Sequence, residues 1–156
     1  MRMDKWIQKM FENAFKKEYY ETYWAFDVHG TILRPNYRKD HFHADFYPFA
    51  KETLQLLSKR RDIILILATS SYPNEIEYYL KVFADNEIYF KYINENPEID
   101  SSKGNFGDYT KKYYFNVMFE DKAGFAPETE WEPVYKRIKW YHDNRILPNP
   151  SWSTKY

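Results

Sequence analysis

The stretch Ile63-Ile64-Leu65-Ile66-Leu67-Ala68 narrows most sharply what this chain can become. Six apolar residues follow one another with no polar interruption. A strand with one wet face would alternate, so an unbroken run predicts a strand buried on both faces, as in a parallel sheet. As a helix it would be far too short to cross a bilayer, which takes ~20 such residues. The rest of the chain can supply the cover. Among 156 residues there are 12 Phe, 16 Tyr and 5 Trp, and each ring can bury roughly 150–250 Å². A chain 44% hydrophobic and 21% aromatic is not a disordered one.

Helical and strand patterns alternate on either side of that run. Met3, Ile7, Met10, Phe11 and Ala14 recur at helical spacing, predicting an amphipathic helix over residues 1–20 that packs on the domain edge. Thr22 to Asp27 reads as a short buried strand ending at an acidic residue and a glycine. Residues 32–45, with Pro35 and two histidines, read as an irregular, flap-like excursion. Pro48 then opens a helix to about Arg61, with Phe49, Thr53, Leu54, Leu56 and Leu57 facing inward. Pro73 opens another, carrying Ile76, Tyr79, Leu80 and Phe83. Strands are expected over Tyr89–Ile93 and Tyr113–Phe119, a last helix over Pro127–Asn144, and a tail over 148–156. The length fits a single domain over 1–156. The expected class is α/β, a three-layer Rossmann-like fold with a mainly parallel sheet and helices on both faces.

Charge and cysteine content exclude several functions. With 23 Lys+Arg against 23 Asp+Glu the formal net charge is zero, which argues against binding duplex DNA. Without cysteine there is no disulfide framework and no thiolate-bound zinc or iron–sulfur cluster. The first twenty residues intersperse lysines with acids and lack the apolar centre of a signal peptide. The expected location is cytoplasmic, with no membrane association.

In open α/β sheets, ligands bind outside the carboxyl ends of the strands. Here those ends carry Asp27, Thr69-Ser70 and Glu120-Asp121. One acidic residue after a strand is commonly a turn former. Two acidic strand ends and a hydroxyl pair directed to one edge form a more specific pattern.

That pattern resembles the haloacid dehalogenase superfamily of phosphohydrolases. Asp27-Val28-His29-Gly30-Thr31 is similar to its first motif, a strand followed by D-x-D-x-T, with His29 replacing the second Asp. Thr69 in Leu-Ala-Thr-Ser resembles the second motif. Lys112 through Glu120-Asp121 resembles the third and fourth run together, and the resemblance covers residues 22–131. It implies Asp27 as a nucleophile that forms an aspartyl-phosphate. It also implies Mg²⁺ held by Asp27, Asp121 and the His29 backbone carbonyl, with Glu120 in the outer shell. Thr69 would bind a phosphoryl oxygen. A lysine would neutralise developing charge: Lys112 by its spacing, with Lys111 and Lys103 as substitutes. Residues 32–45 are too short for a helical cap domain and residues 69–112 are already used by helix, strand and linker, which in this family implies an open site for a large or nucleotide-type phosphorylated substrate.

Two positions stay open at this level. His29 can serve as acid and base, since imidazole titrates near ~6.5, or it can mark a protein that binds a phosphate- or nucleotide-containing ligand with little turnover. His41, His43 and Asp45 alternate and would share one face of a strand. They read as a transition-metal site, a substrate-touching flap or a solvated loop.

Overall fold

The apolar run becomes an inner strand. The computed structural model describes residues 2–35, 44–99 and 107–146. Its elements are α1 (Met3–Lys17), β1 (Thr22–Phe26), α2 (Ala50–Ser58), β2 (Ile63–Leu67), α3 (Pro73–Asp85), β3 (Tyr92–Ile93), β4 (Val117–Phe119) and α4 (Pro127–Asp143), with a 3₁₀ turn at Asp121–Ala123. The sheet order is β3-β2-β1-β4 and every pairing is parallel. Parallel strands share one carboxyl edge, so Asp27, Thr69 and Glu120 all leave the sheet at the same end.

The two inner strands supply the core. Trp24 and Phe26 of β1 and Leu65 and Leu67 of β2 join one large cluster with Ile7, Phe11, Leu54, Leu57, Phe83, Val134 and Ile138. All four helices therefore draw on it. On the second face, Tyr23, Ala25, Ile66 and Ala68 are packed by Ile99 and Tyr113–Phe115. The architecture is α/β and Rossmann-like, with three layers.

Both outer strands are shorter than the sequence predicts. At β4 the reason is Asn116. Its N–H donates to the Tyr23 carbonyl at 2.7 Å, and its side-chain Oδ1 accepts the Tyr23 N–H at 2.7 Å. The side chain takes the place of a ladder carbonyl and Tyr113–Phe115 are released onto the sheet face. At β3 single bonds flank the pairing, Lys91 N–H to Leu65 at 2.9 Å and Asn94 N–H to Leu67 at 2.8 Å. Asn94 then turns the chain through the left-handed region at φ 54°, which Asn tolerates better than most residues.

The first helix begins without a side-chain cap of its own. Glu130 of α4 serves instead, accepting the Met3 N–H at 2.8 Å and the Ala126 N–H at 2.6 Å. One buried carboxylate thus satisfies the starts of two helices. The first helix is integrated into the core through Ile7 and Phe11, more deeply than an edge position suggests.

The predicted excursion is anchored at its ends. Ile32 and Leu33 are fully buried, and Leu33 bridges Phe46 in antiparallel fashion. Arg34 N–H donates to the Asp45 carbonyl at 2.8 Å. Residues 36–43 and the predicted tail at 148–156 lie outside the described residues. Among those described, no helix is long and apolar enough to cross a membrane.

Trp131 offers a test of the packing. It is 0% exposed and stacks on Phe119 at 5.1 Å between ring centroids. Trp131→Ala is expected to cost about 3–5 kcal/mol in urea unfolding. Trp140, 53% exposed on the same helix, should tolerate alanine within about 0.5 kcal/mol. Equal losses at both positions would contradict this core.

Candidate active site at the carboxyl edge

Asp27 extends β1 by one residue. Its N–H donates to the Phe119 carbonyl at 3.0 Å, so its backbone is fixed by the neighbouring strand. The chain then wraps around the Val28 carbonyl, which accepts the N–H groups of Thr31, Ile32 and Leu33 at 3.3, 2.9 and 3.0 Å. This tight loop is held from outside by Trp131, whose Nε1–H donates to the Thr31 carbonyl at 2.8 Å.

Within the loop, Thr31 joins two strand ends. Its hydroxyl donates to Asp27 Oδ2 at 3.3 Å and accepts the Asp121 N–H at 3.2 Å. Gly30 makes room beside it. At φ +78°, a Cβ on Gly30 would stand 2.8 Å from Asp121 Oδ2. Backbone conformation and the approaching carboxylate both require glycine there.

The result is a carboxylate cluster. Asp27, Glu120 and Asp121 each bring an oxygen to within 4.8 Å of the other two. Burial pushes the Asp27 carboxyl above its ordinary pKa, and the Asp121 charge adds to this. The Val28 N–H and the Thr31 hydroxyl pull in the opposite direction. Glu120 is raised as well, first by burial and then by its bond to Asp121. Among the described residues no Lys or Arg side-chain nitrogen lies within 4.0 Å of these three carboxylates, and Glu120 is met by the Lys122 backbone N–H at 3.1 Å. Oxygen-only donors gathered without a balancing cation suit a hard divalent ion such as Mg²⁺.

Thr69 stands at the end of the adjacent strand. Phe26 is paired with Leu67, which puts Thr69 one residue beyond the level of Asp27. The Asn94 carboxamide clamps its backbone, accepting the Thr69 N–H at 2.8 Å and donating to its carbonyl at 2.7 Å. The Thr69 hydroxyl lies 2.8 Å from the Ser71 hydroxyl and accepts the Ser71 N–H at 3.2 Å.

His29 and the lysines behave differently from the carboxylates. His29 Nε2 lies 2.5 Å from the Tyr79 hydroxyl on α3, and the two rings meet edge to face at 5.1 Å. Lys112 precedes β4, while Glu120 follows it. Its Nζ sits over the Phe115 ring at 5.8 Å, and Lys111 is exposed beside it. Neither is joined to the cluster. Lys103, His41 and His43 fall outside the described residues. Asp45, the remaining member of the histidine pattern, pairs with Arg34 at 3.4 Å.

Four contributors were not assigned roles from sequence. Thr31 and Gly30 were visible as parts of Asp-x-x-Gly-Thr, yet their link to Asp121 spans ninety residues. Tyr79 reads as one more apolar position on a helix face. Asn94 reads as a loop residue, and only the left-handed turn after β3 aims it at Thr69.

The raised carboxyls make stability depend on pH. The folded protein retains protons that the unfolded chain has already released. Stability therefore falls as pH rises between the ordinary and the raised pKa, and the loss persists above that window. Asp27→Asn removes its share, so in EDTA at pH 7 the variant should melt above the wild type. The gap should close as pH drops below the ordinary carboxylate range of ~4. A wild type that melts at or above Asp27→Asn at pH 7 would contradict the raised Asp27 carboxyl.

No family model matches the chain, and no curated protein matches it. Among solved structures it is similar to a conserved protein of Bacteroides thetaiotaomicron, at a TM-score of 0.58 and 24% identity, over 77% of this chain and 91% of that one. At that identity the likeness supports the α/β fold alone.

Proposed function

We propose that the protein is a Mg²⁺-dependent phosphomonoesterase of the haloacid dehalogenase type, with Asp27 as nucleophile. The observation that carries this reading is the convergence of Asp27, Glu120 and Asp121 at the carboxyl edge, tied together by Thr31 and fitted over Gly30. Asp27 and Asp121, with the His29 backbone carbonyl, would hold the cation, and Glu120 would act from the outer shell. When bound, the cation neutralises charge so that a carboxylate can approach an anionic phosphoryl group.

The chain's own groups then divide the work. An Asp27 oxygen attacks phosphorus, the P–O bond to the leaving alcohol breaks, and that oxygen takes a proton. Water next attacks the acyl phosphate, releasing inorganic phosphate and restoring the Asp27 carboxylate. The Thr69 hydroxyl binds a phosphoryl oxygen. The open edge accommodates a phosphate carried on a large or nucleotide-type molecule.

A second reading is favoured by one contact. The imidazole expected to move the proton has Nε2 engaged by the Tyr79 hydroxyl, leaving Nδ1 as its free nitrogen. With no described lysine side chain paired to the cluster, the same frame suits a protein that binds a phosphate-containing ligand and turns over slowly.

Phosphate release from an aryl phosphate separates the two. For the esterase, activity should require Mg²⁺, vanish in Asp27→Asn and fall about 10²–10⁴-fold in His29→Ala. A wild type that is inactive until His29→Asp is introduced would establish the binder. Mg²⁺ should raise the melting temperature under either reading, and this rise should be lost in Asp121→Ala. A melting curve indifferent to Mg²⁺ would remove the metal from both.

A further inference from the structure

Away from the carboxylate edge, a cleft of about 540 Å³ lies between α1 and β4. That volume lies within the ~300–1,000 Å³ of ordinary ligand sites. Its helical wall runs from Met3 to Lys17 and its sheet wall from Tyr114 to Met118. At 1.5 Å rise per residue the helical wall is about 21 Å long. Because β4 ends the sheet, no further strand among the described residues closes that side. The form is an elongated groove.

The chemistry of the walls is one-sided. Lys9 and Lys17 are the charged residues among the described residues lining it, and no acidic residue joins them. Each lysine is paired with a ring. Lys9 Nζ lies 5.0 Å from the Trp6 centroid, and Lys17 Nζ lies 5.9 Å from that of Tyr19. Trp6 is 53% and Tyr19 42% exposed, so both rings offer apolar surface to a partner. Tyr114 adds a third ring on the opposite wall, its hydroxyl accepting from the Asn116 side-chain amide at 2.9 Å.

We propose that this groove binds single-stranded nucleic acid. Positive charge along a groove, with aromatic side chains set beside it, matches a chain that repeats an anionic phosphate and a flat base. An acidic peptide would satisfy the lysines and leave the rings without stacking partners. A duplex needs a broad basic face, and this chain has a formal net charge of zero. The groove stands apart from the phosphatase reading and does not require it.

Fluorescence anisotropy with a labelled oligothymidylate of about ten nucleotides tests this. The oligonucleotide lacks terminal phosphate and the buffer contains EDTA, which isolates the groove from the carboxylate edge. Two lysine–phosphate contacts should weaken binding about 25-fold for each tenfold rise in salt. The Lys9→Glu/Lys17→Glu double variant should abolish it, and Trp6→Ala should weaken it at least about fivefold. All three side chains are exposed, and circular dichroism melts matching the wild type would confirm intact folding. No binding at low salt would overturn the proposal. So would affinity unchanged in the folded double variant, or equal competition by polyglutamate.

Discussion

The structure turns on Trp131. Its ring lies 5.1 Å from Phe119 at an interplanar angle of 2°, and Phe119 lies 4.5 Å from Phe26 at 11°. Phe26 and Trp131 are themselves 6.3 Å apart, so three rings from α4, β4 and β1 form one buried triangular cluster. Such contacts add about 0.5–1.5 kcal/mol each beyond the area they bury. The indole N–H, which would be costly to bury unpaired, donates to Thr31 in the loop that follows β1. One side chain thus packs across two strands, docks the last helix and anchors the loop of the candidate site.

The charged groups at the carboxyl edge depend on that rigidity. Three carboxylates held close together disfavour the folded state unless something neutralises them. Here the strand ends are fixed by the ladder and by the Thr31 hydroxyl, so the backbones that carry the cluster cannot move apart. Binding energy of a cation would then be recovered against a penalty already built into the fold. The same arrangement is what the proposed phosphoryl chemistry asks of a nucleophilic carboxylate, which must be placed before the substrate arrives.

The brevity of the outer strands has consequences at both sides of the sheet. Where β3 ends, Asn94 turns back and clamps Thr69. Where β4 begins late, the tyrosines before it fold onto the sheet face and Tyr114 reaches the groove beside α1. Two asparagines, Asn94 and Asn116, make both endings by substituting side-chain amides for backbone partners.

Much was legible in the sequence because it depends on local pattern. The unbroken run at residues 63–68 has to be buried on both faces, and prolines at 48, 73 and 127 mark where helices can start. Asp27 and Glu120-Asp121 follow apolar strands, and parallel pairing sends all such residues to one edge. These expectations rest on periodicity and on the rule that strands sharing a direction share an end. The apolar pattern overstates strand length because a side-chain amide such as Asn116 can terminate a ladder that the pattern would continue. What only the tertiary structure decided are contacts between residues far apart in the chain. Thr31 meets Asp121, His29 meets Tyr79, Glu130 caps Met3, and Trp131 holds the loop. Each depends on distances of a few ångströms between side chains from separate elements, and sequence spacing carries no information about those until the elements have packed.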